Sequence, residues 1–353
     1  MKKVLAIGFV ILTAFTVAFA GNPERSGQAG ATQLLINSWG RSSGLNGINI
    51  GGAYGIESVY NNPAGLATTR RTELVFSHTR YLVGTDININ TFGISQSVKN
   101  AGVIGLYVNA FDLGDFVITT EDNPDGDLGT FSPTFMNLGL TFGKKFTDHI
   151  FVGATLKMVH ESIFDVGSTG VAFDAGVQYR TSFGQDSLHK DKLKLGISLR
   201  NIGSTMRYGG DGLSFRANRQ EDFTSLASRP TAEFEMPSVL SMGVSYDVYF
   251  GSNQRFTPMG SFISNAFSQD QIGVGFEYSF KEYLMLRYSF LYERGITDPL
   301  ERLTAWTGHA FGVTVEVPFK SGKDRESSFG LDYSYRSTDP FQGTHSLGVR
   351  IDL

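Results

Sequence analysis

The sequence contains no cysteine and few charged residues, which make up 18% of its 353 positions. The absence of cysteine excludes disulfide frameworks, thiolate metal sites and cysteine nucleophiles. A soluble globular chain carries roughly 25% charged residues, so the lower value favours a protein with little surface facing water. The formal net charge of -4 disfavours nucleic acid as a partner.

Beyond residue 19 the sequence also lacks any apolar run long enough to cross a membrane as a helix. Lys2 and Lys3 precede an apolar run at 4–19, which ends in the small-residue signal Ala18-Phe19-Ala20. This pattern predicts a secretory signal peptide, residues 1–20, that is cleaved after Ala20. A transmembrane anchor is the alternative, and it is disfavoured because a spanning helix needs about 20 apolar residues.

From about residue 73 onward the chain alternates between apolar and polar residues. In 272–281, isoleucine, valine, phenylalanine and tyrosine at the even positions alternate with glycine, glutamate, serine and lysine. A period of two places these sets on opposite faces of a strand. The apolar face would aggregate in water but is stable against lipid, and the other face suits a polar lumen. Segments of about 9–11 residues also match the length of a bilayer-crossing strand.

The alternation recurs often enough to predict a closed barrel. It is clear at 272–281, 284–293, 311–319, 329–336, 347–353, 103–110, 134–146, 150–160, 171–181, 193–202 and 238–250, and weaker at 73–82, 87–98 and 256–267. In 87–98 the phase slips, which predicts a bulge. The total is about 14 strands, an even number as bacterial barrels require. We therefore expect an all-β fold, a transmembrane antiparallel β-barrel over residues 73–353.

The lengths of the connections support this count. Long connections at about 112–133, 203–237 and 294–310 alternate with shorter ones, as expected for extracellular loops and periplasmic turns. This predicts an outer-membrane protein that contacts outer-membrane lipid and lipopolysaccharide, with both termini in the periplasm. A soluble propeller would show a repeat of about 40–50 residues, which is not seen. A soluble sandwich would need more charge facing water.

Residues 21–72 lack the alternation and are rich in glycine, serine and asparagine. Their moderate apolar content predicts a hatch or plug that packs inside the barrel. The candidate hatch motif comprises Gly51, Gly52, Asn62, Pro63, Ala64, Gly65 and Leu66. These residues could form a gate that moves or a fixed hatch, and turn chemistry alone favours the fixed form.

Several stretches resemble a known family. The runs GLNGINIGGAY at 44–54 and ESVYNNPAGLA at 57–67, with LRNIG at 199–203 and MPS at 236–238, resemble the PorV/PorQ family. The Asn-Pro-Ala-Gly-Leu run is shared with the wider FadL-like outer-membrane barrels. One departure is the final Leu353, where many outer-membrane barrels end in an aromatic residue.

The resemblance extends over essentially the whole mature chain and implies a barrel of 14 strands with an N-terminal hatch. It also implies a component of type IX protein secretion or surface attachment in Bacteroidota-like bacteria, which binds partner or cargo proteins. FadL-like members instead pass hydrophobic small molecules, and this passive transport is the alternative function. The strands predict no clear apolar pocket in the lumen, which argues against such transport.

Charged residues are predicted to face the lumen with mixed signs. They are Lys157, Asp174, Arg180, Lys194, Arg200, Asp247, Glu277, Arg287, Glu293, Glu316, Asp332, Arg336, Arg350 and Asp352. Because buried charges are costly unless paired, we expect a network of salt bridges that fills the lumen. A transport path lined by these charges is the other interpretation.

The long connection at 203–237 is either a lid on the barrel mouth or a protein interface. The residues of this candidate partner loop are Arg207, Tyr208, Phe215, Arg216, Phe223 and Phe234.

The acidic stretch 121–127 resembles a calcium loop, but Pro124 intrudes and Ser132 stands where a bidentate glutamate is needed. No hydrolase elbow or zinc motif occurs, so we predict no catalytic residue, cofactor or metal, and an enzyme is the weakest hypothesis.

Overall fold

The computed structural model describes residues 21–126, 128–182, 191–219, 223–319 and 327–353. The predicted signal peptide, residues 1–20, lies outside the described residues. Within the described residues, no helix is long and apolar enough to cross a membrane.

Fourteen antiparallel strands form a closed barrel, as the alternation predicts. The strands are Thr72–Arg80 (β1), Asn88–Ser97 (β2), Val103–Asp112 (β3), Thr134–Lys145 (β4), Ile150–Ile163 (β5), Val166–Thr181 (β6), Leu193–Gly203 (β7), Val239–Tyr246 continued by Val248–Phe250 (β8), Gln254–Asn265 (β9), Gln271–Phe280 (β10), Leu284–Tyr292 (β11), Trp306–Pro318 (β12), Ser328–Thr338 (β13) and Thr344–Asp352 (β14). Each strand pairs with the next along the chain, and β1 pairs with β14. Two short hairpins in the connections pair Phe116–Val117 with Thr130–Phe131, and Ser214–Arg219 with Phe223–Ser228.

The two faces of each strand differ in the way that the period of two requires. On the paired strands β4 and β5, Leu140 and Leu156 point outward and are 53% and 55% exposed. Their neighbours Thr141 and Thr155 point inward, are fully buried, and share a hydrogen bond of 2.8 Å between their hydroxyl oxygens. The barrel therefore presents an apolar outer surface and a polar inner one.

Several details of the strands differ from the sequence prediction. The bulge expected in 87–98 is absent, because β2 pairs without interruption with both neighbours. The apparent slip arises because Ile89 is an apolar residue that points inward and is fully buried. Strands β6 and β12 begin about five residues earlier than predicted, at Val166 and Trp306, and β1 begins one residue earlier, at Thr72. These extensions need no apolar alternation if they project beyond the lipid.

Residues 21–71, the N-terminal segment, run through the inside of the barrel. Their helices are short, with one or two turns each, at Pro23–Arg25, Thr32–Leu35, Gly40–Ser43, Ser58–Asn61 and Pro63–Thr68. Further short turns lie in connections, at Lys99–Ala101 and Asp211–Leu213. An apolar cluster joins the segment to the wall, made by Trp39, Ile56, Val59, Leu66, Val75, Val103 and Tyr107. This cluster provides much of the apolar burial that a barrel with a polar interior otherwise lacks.

The first described residue and the C-terminus lie at opposite ends of the barrel. We call the end with connections 113–133, 204–238 and 293–305 the loop end, and the other the turn end. Leu353 lies at the turn end, where its backbone N–H donates to Thr72. Gly21 lies at the loop end, where it bonds to Asp270. The expectation that both termini share the periplasmic end is therefore wrong for the described chain, because the N-terminal segment crosses the lumen before β1.

Candidate functional site: the N-terminal segment in the lumen

Asn62, the first polar residue of the candidate hatch motif, ties the N-terminal segment to the barrel wall. It is fully buried, and its side-chain oxygen accepts from the backbone N–H of Ala64 at 3.1 Å, capping the turn Pro63–Thr68. Its side-chain amide donates to the carbonyl oxygens of Val177 in β6 at 3.0 Å and of Ile50 at 3.2 Å. One side chain therefore links the turn, another part of the segment and the wall.

Three glycines of the barrel wall lie against this turn. Gly143, Gly153 and Gly176 are paired with one another across β4, β5 and β6. A Cβ atom on Gly153 would overlap the backbone of Pro63, and one on Gly176 would overlap the side chain of Asn62. The row forms a groove, which we call the glycine furrow. In it the backbone of the turn lies close to the backbone of the wall. Sequence reasoning missed it, although glycine at inward positions of adjacent strands is a signal that could have revealed it.

The glycines of the hatch motif also let neighbouring backbone approach closely. A Cβ on Gly51 would lie 2.6 Å from the carbonyl oxygen of Lys194, and one on Gly65 would overlap the carbonyl of Ala53. The left-handed backbone conformation occurs instead at Gly47, with φ +72°, and at Gly55, with φ +68°. Crowding against neighbouring backbone therefore accounts for Gly51 and Gly65, rather than an unusual backbone angle.

Nine of the fourteen predicted inward charges form ion pairs within the lumen wall, as the predicted network requires, and the other five form hydrogen bonds. The ion pairs are Lys157–Asp174 at 2.8 Å, Lys194–Asp247 at 2.6 Å, Arg287–Glu277 at 2.6 Å, Arg350–Glu316 at 2.5 Å and Arg350–Asp352 at 3.3 Å. Arg200 and Arg336 instead donate to carbonyl oxygens of the N-terminal segment, those of Tyr60 at 2.5 Å and Asn37 at 2.8 Å. These charges hold the segment as well as the wall.

A β-bulge interrupts the wall where the motif LRNIG lies. Arg200 and Asn201 of β7 together stand opposite Asp174 of β6, and Asn201 adopts a left-handed φ of +61°. The backbone N–H of Asn201 donates to Asp174 at 2.7 Å, and its side-chain amide donates to the carbonyl oxygen of Pro237 at 2.9 Å. The two motifs that lie apart in the sequence, LRNIG and MPS, therefore meet at this bulge.

A cavity lies between the N-terminal segment and the bulge. The N-terminal segment contributes Leu34, Ile36, Trp39, Val59 and Tyr60, together with the polar Gln33, and the wall adds Tyr107. The wall side is polar and includes Lys157, Asp174 and Arg200. Its volume is ≈ 20 Å³, as is that of a second cavity beside Arg41 and Glu57, so each holds about one water molecule. The apolar lining that the strands do not provide comes from the N-terminal segment.

The candidate partner loop divides into an inward part and an outward part. Tyr208 and Phe234 pack together at the barrel mouth, with ring centroids 5.3 Å apart, and the Tyr208 hydroxyl donates to Glu161. Burial and the adjacent Glu161 raise the pKa of Tyr208. Arg207, Phe215 and Arg216 are exposed, and the side chain of Phe223 lies outside the described residues. One part of the loop therefore packs on the barrel mouth, as expected for a lid, and the other part is exposed.

Across the described ranges, no cluster of three or more histidine, aspartate or glutamate side chains could hold a metal ion. In the acidic loop, Ser132 donates to Asp115, and Asp127 lies outside the described residues.

Comparison with solved structures relates the fold to known barrels. The toluene transporter TbuX of Ralstonia pickettii is 12% identical with a TM-score of 0.51, and the match covers 90% of this chain and 97% of that one. The Pseudomonas putida toluene transporter TodX is 13% identical, with a TM-score of 0.49 and coverage of 90% and 97%. A FadL homologue of Pseudomonas aeruginosa is 13% identical, with a TM-score of 0.45 and coverage of 89% and 96%.

No family model matches the chain. No curated protein matches it either. The similarity to TbuX shows that the two chains share the same β-barrel fold.

Proposed function

We propose that this chain is a FadL-like outer-membrane barrel that passes small hydrophobic molecules when its N-terminal segment shifts. The observation that carries the proposal is the cavity between the segment and the β6–β7 bulge. Its aromatic and aliphatic side suits an apolar body, and the polar side with Lys157 and Arg200 suits a polar end. The whole-length likeness to a barrel described as a toluene transporter supports the same conclusion.

Transport requires movement, because the cavity is much smaller than a substrate. Ligand pockets commonly have volumes of about 300–1,000 Å³, against ≈ 20 Å³ here. The bulge lies directly beside the cavity, and a bulge disrupts the regular ladder of hydrogen bonds. A shift of the N-terminal segment away from the bulge would enlarge the cavity at the weakest point of this part of the wall. The segment would then act as a gate rather than as a fixed hatch.

Disulfide locking tests this movement directly, since the natural chain has no cysteine. The hydroxyl oxygens of Ser43 in the segment and Ser334 in β13 lie 2.5 Å apart, a spacing close to that of a disulfide. The double variant Ser43→Cys/Ser334→Cys should lose uptake of toluene-like molecules when oxidised and regain it when reduced. The control variant Thr79→Cys/Ser346→Cys joins two wall strands whose hydroxyl oxygens are 2.7 Å apart.

The control should transport equally well in both redox states. Equal uptake by the oxidised Ser43–Ser334 variant would show that the segment need not move there, and would contradict the gate. Trp39, which lines the cavity, offers a binding test in the variant Trp306→Phe, where it is the only tryptophan. Its fluorescence should change on addition of a small aromatic molecule, and no change at saturating concentrations would count against the cavity as the binding site.

A second candidate is a role in type IX secretion or surface attachment, through contacts with partner or cargo proteins. The resemblance to the PorV/PorQ family supports it, and so does the outward part of the candidate partner loop. Phe215 is 51% exposed there and Leu226 is 76% exposed, so the hairpin presents apolar side chains outside the barrel wall. Deletion of 214–228 removes this hairpin and keeps Tyr208 and Phe234.

Co-purification from solubilised membranes distinguishes the two candidates. If the protein works by binding partners, secretion-machine subunits should accompany the intact chain and be lost with the hairpin. Retention of the same subunits after the deletion would overturn the role of this loop.

We further propose that the chain is exported with cleavage after Ala20, and that its apolar outer face contacts lipid and lipopolysaccharide.

A further inference from the structure

The amino-terminal end of the described chain is fastened at the barrel mouth. The backbone nitrogen of Gly21 lies 2.7 Å from a carboxylate oxygen of Asp270. Asp270 belongs to the connection 266–270 between β9 and β10, at the loop end. Gly21 is also the residue that becomes the first of the mature chain if the signal peptide is cleaved after Ala20, as the sequence predicts.

The site around Gly21 has room for glycine only. A Cβ atom there would lie 2.7 Å from a carboxylate oxygen of Asp270, 2.8 Å from the Asp270 backbone nitrogen and 2.9 Å from the Ser268 carbonyl oxygen. Real Cβ atoms essentially never come so close to backbone atoms. The connection therefore packs closely against Gly21, which is half-buried and follows the predicted cleavage site.

The residues that follow are held by two different connections of the loop end. Arg25 forms an ion pair with Glu235 at 2.9 Å, and its guanidinium carbon lies 4.1 Å from the centre of the Phe267 ring. The backbone N–H of Gly30 donates to the carbonyl oxygen of Glu235 at 3.1 Å. The start of the N-terminal segment thus bridges the candidate partner loop and the connection that carries Asp270.

We propose that cleavage after Ala20 creates a latch, in which the α-ammonium group of Gly21 pairs with the carboxylate of Asp270 and fastens the N-terminal segment across the barrel mouth. Hydrolysis of the Ala20–Gly21 bond by a signal peptidase consumes one water. It leaves a carboxylate on Ala20 and an amine on Gly21, and this amine takes up a proton. The latch goes beyond the transport proposal and rests on the predicted cleavage.

Cleavage changes the strength of the contact. Before cleavage, Gly21 offers a neutral amide with one N–H, whereas afterwards it offers a charged group with three. The carboxylate of Asp270 is charged in both states, so cleavage turns a hydrogen bond with one ionised partner into an ion pair with two. The segment is then fastened at both ends, by the latch at the loop end and by β1 at the turn end. Release of the latch frees the part of the N-terminal segment at the loop end to move.

The first measurement is the mass of the mature protein, followed by the reactivity of its amino terminus. The purified protein in detergent is treated briefly with an amine-acylating reagent near neutral pH, and modification of the first peptide is followed by mass spectrometry. We expect a chain that begins at Gly21 and an α-amine that reacts slowly. The variant Asp270→Asn should react on the order of ten times faster, because the charged partner is lost.

Two further variants keep the test decisive. Asp298→Asn removes a carboxylate from another connection of the loop end and should leave the rate unchanged. Gly21→Ala keeps both the amine and Asp270, but its methyl group does not fit the site, so its amine should also react faster than that of the wild type. This variant tests the latch independently if Asp270→Asn folds poorly. Heat-modifiability on gels verifies that each barrel is folded. A mature chain that begins elsewhere, or equal rates in wild type and both latch variants, would overturn the latch, and neither result depends on transport.

Discussion

The side-chain amide of Asn62 lies 3.0 Å from the carbonyl oxygen of Val177, so a turn of the N-terminal segment is bonded directly to the backbone of strand β6. The carbonyl of Val177 cannot change with sequence, and a glycine, Gly176, stands beside it to make room for Asn62. This contact locates the main attachment of the segment on strands β4 to β6, next to the cavity for which we propose a transport role.

The first prediction concerns the loss of this attachment. Asn62→Ala removes the cap of the turn and leaves the turn's hydrogen-bonding groups without their buried partner. Leaving buried polar groups unpaired costs about 1–3 kcal/mol. We expect amide hydrogen exchange in 58–69 to quicken, while the exchange of the wall strands stays slow. Unchanged exchange in 58–69 would mean that Asn62 does not hold the segment.

The glycine furrow yields a second prediction. Gly153→Ala places a methyl group against the backbone of Pro63, so the turn must move. Overpacking of this kind typically costs about 1–3 kcal/mol, which should appear in urea unfolding in liposomes. Gly260→Ala is the matched control, because the nearest atom to its Cβ would be 3.8 Å away. Equal free energies of unfolding for the two variants would show that the glycine furrow is not needed to fit the turn.

A third prediction separates buried from exposed charges. Glu277 is buried and accepts from Arg287 at 2.6 Å and from Arg255 at 2.9 Å. Glu277→Gln leaves Arg287 without its charged partner, whereas Arg255 keeps its ion pair with Glu282, and breaking a buried pair costs about 3–5 kcal/mol. Asp148→Asn breaks the exposed pair with Lys145 and should cost less than about 1 kcal/mol. Unfolding in liposomes measures both, and similar losses would contradict a filled polar lumen.

The fourth prediction concerns the outer surface. Leu156 points outward near the middle of β5, and Leu156→Arg should destabilise the folded barrel by about 2–4 kcal/mol in a bilayer. Phe146 is 74% exposed in the turn after β4, so Phe146→Arg should cost about 0–1 kcal/mol. A small loss for Leu156→Arg in lipid would place β5 outside the bilayer.

The strands could be predicted from the sequence because a barrel wall repeats one local rule, apolar outside and polar inside. The rule failed at Ile89, where an apolar side chain points inward, since the alternation alone cannot reveal which residues the interior will accept. The apolar lining of the cavity was missed for the same reason. It comes from residues such as Trp39, which reach the wall through long-range packing in a segment without periodicity.

The position of the amino-terminal end could not be predicted from local rules either. Connection lengths specify the ends of strands, but they carry no information about a segment that crosses the lumen before β1. The contact between Gly21 and Asp270 joins residues 249 positions apart, and only the folded chain reveals it. The hatch motif, by contrast, was recognisable because Asn62 and Pro63 form a turn signal in any context.

The claim on which the functional account depends is that the N-terminal segment closes the resting lumen. Single-channel recording of the purified wild-type protein in planar bilayers measures this directly. We predict no steady ionic current, with at most brief openings, because the cavities beside the segment hold about one water molecule each. A large, steady, open-pore current in the wild-type protein would contradict the claim.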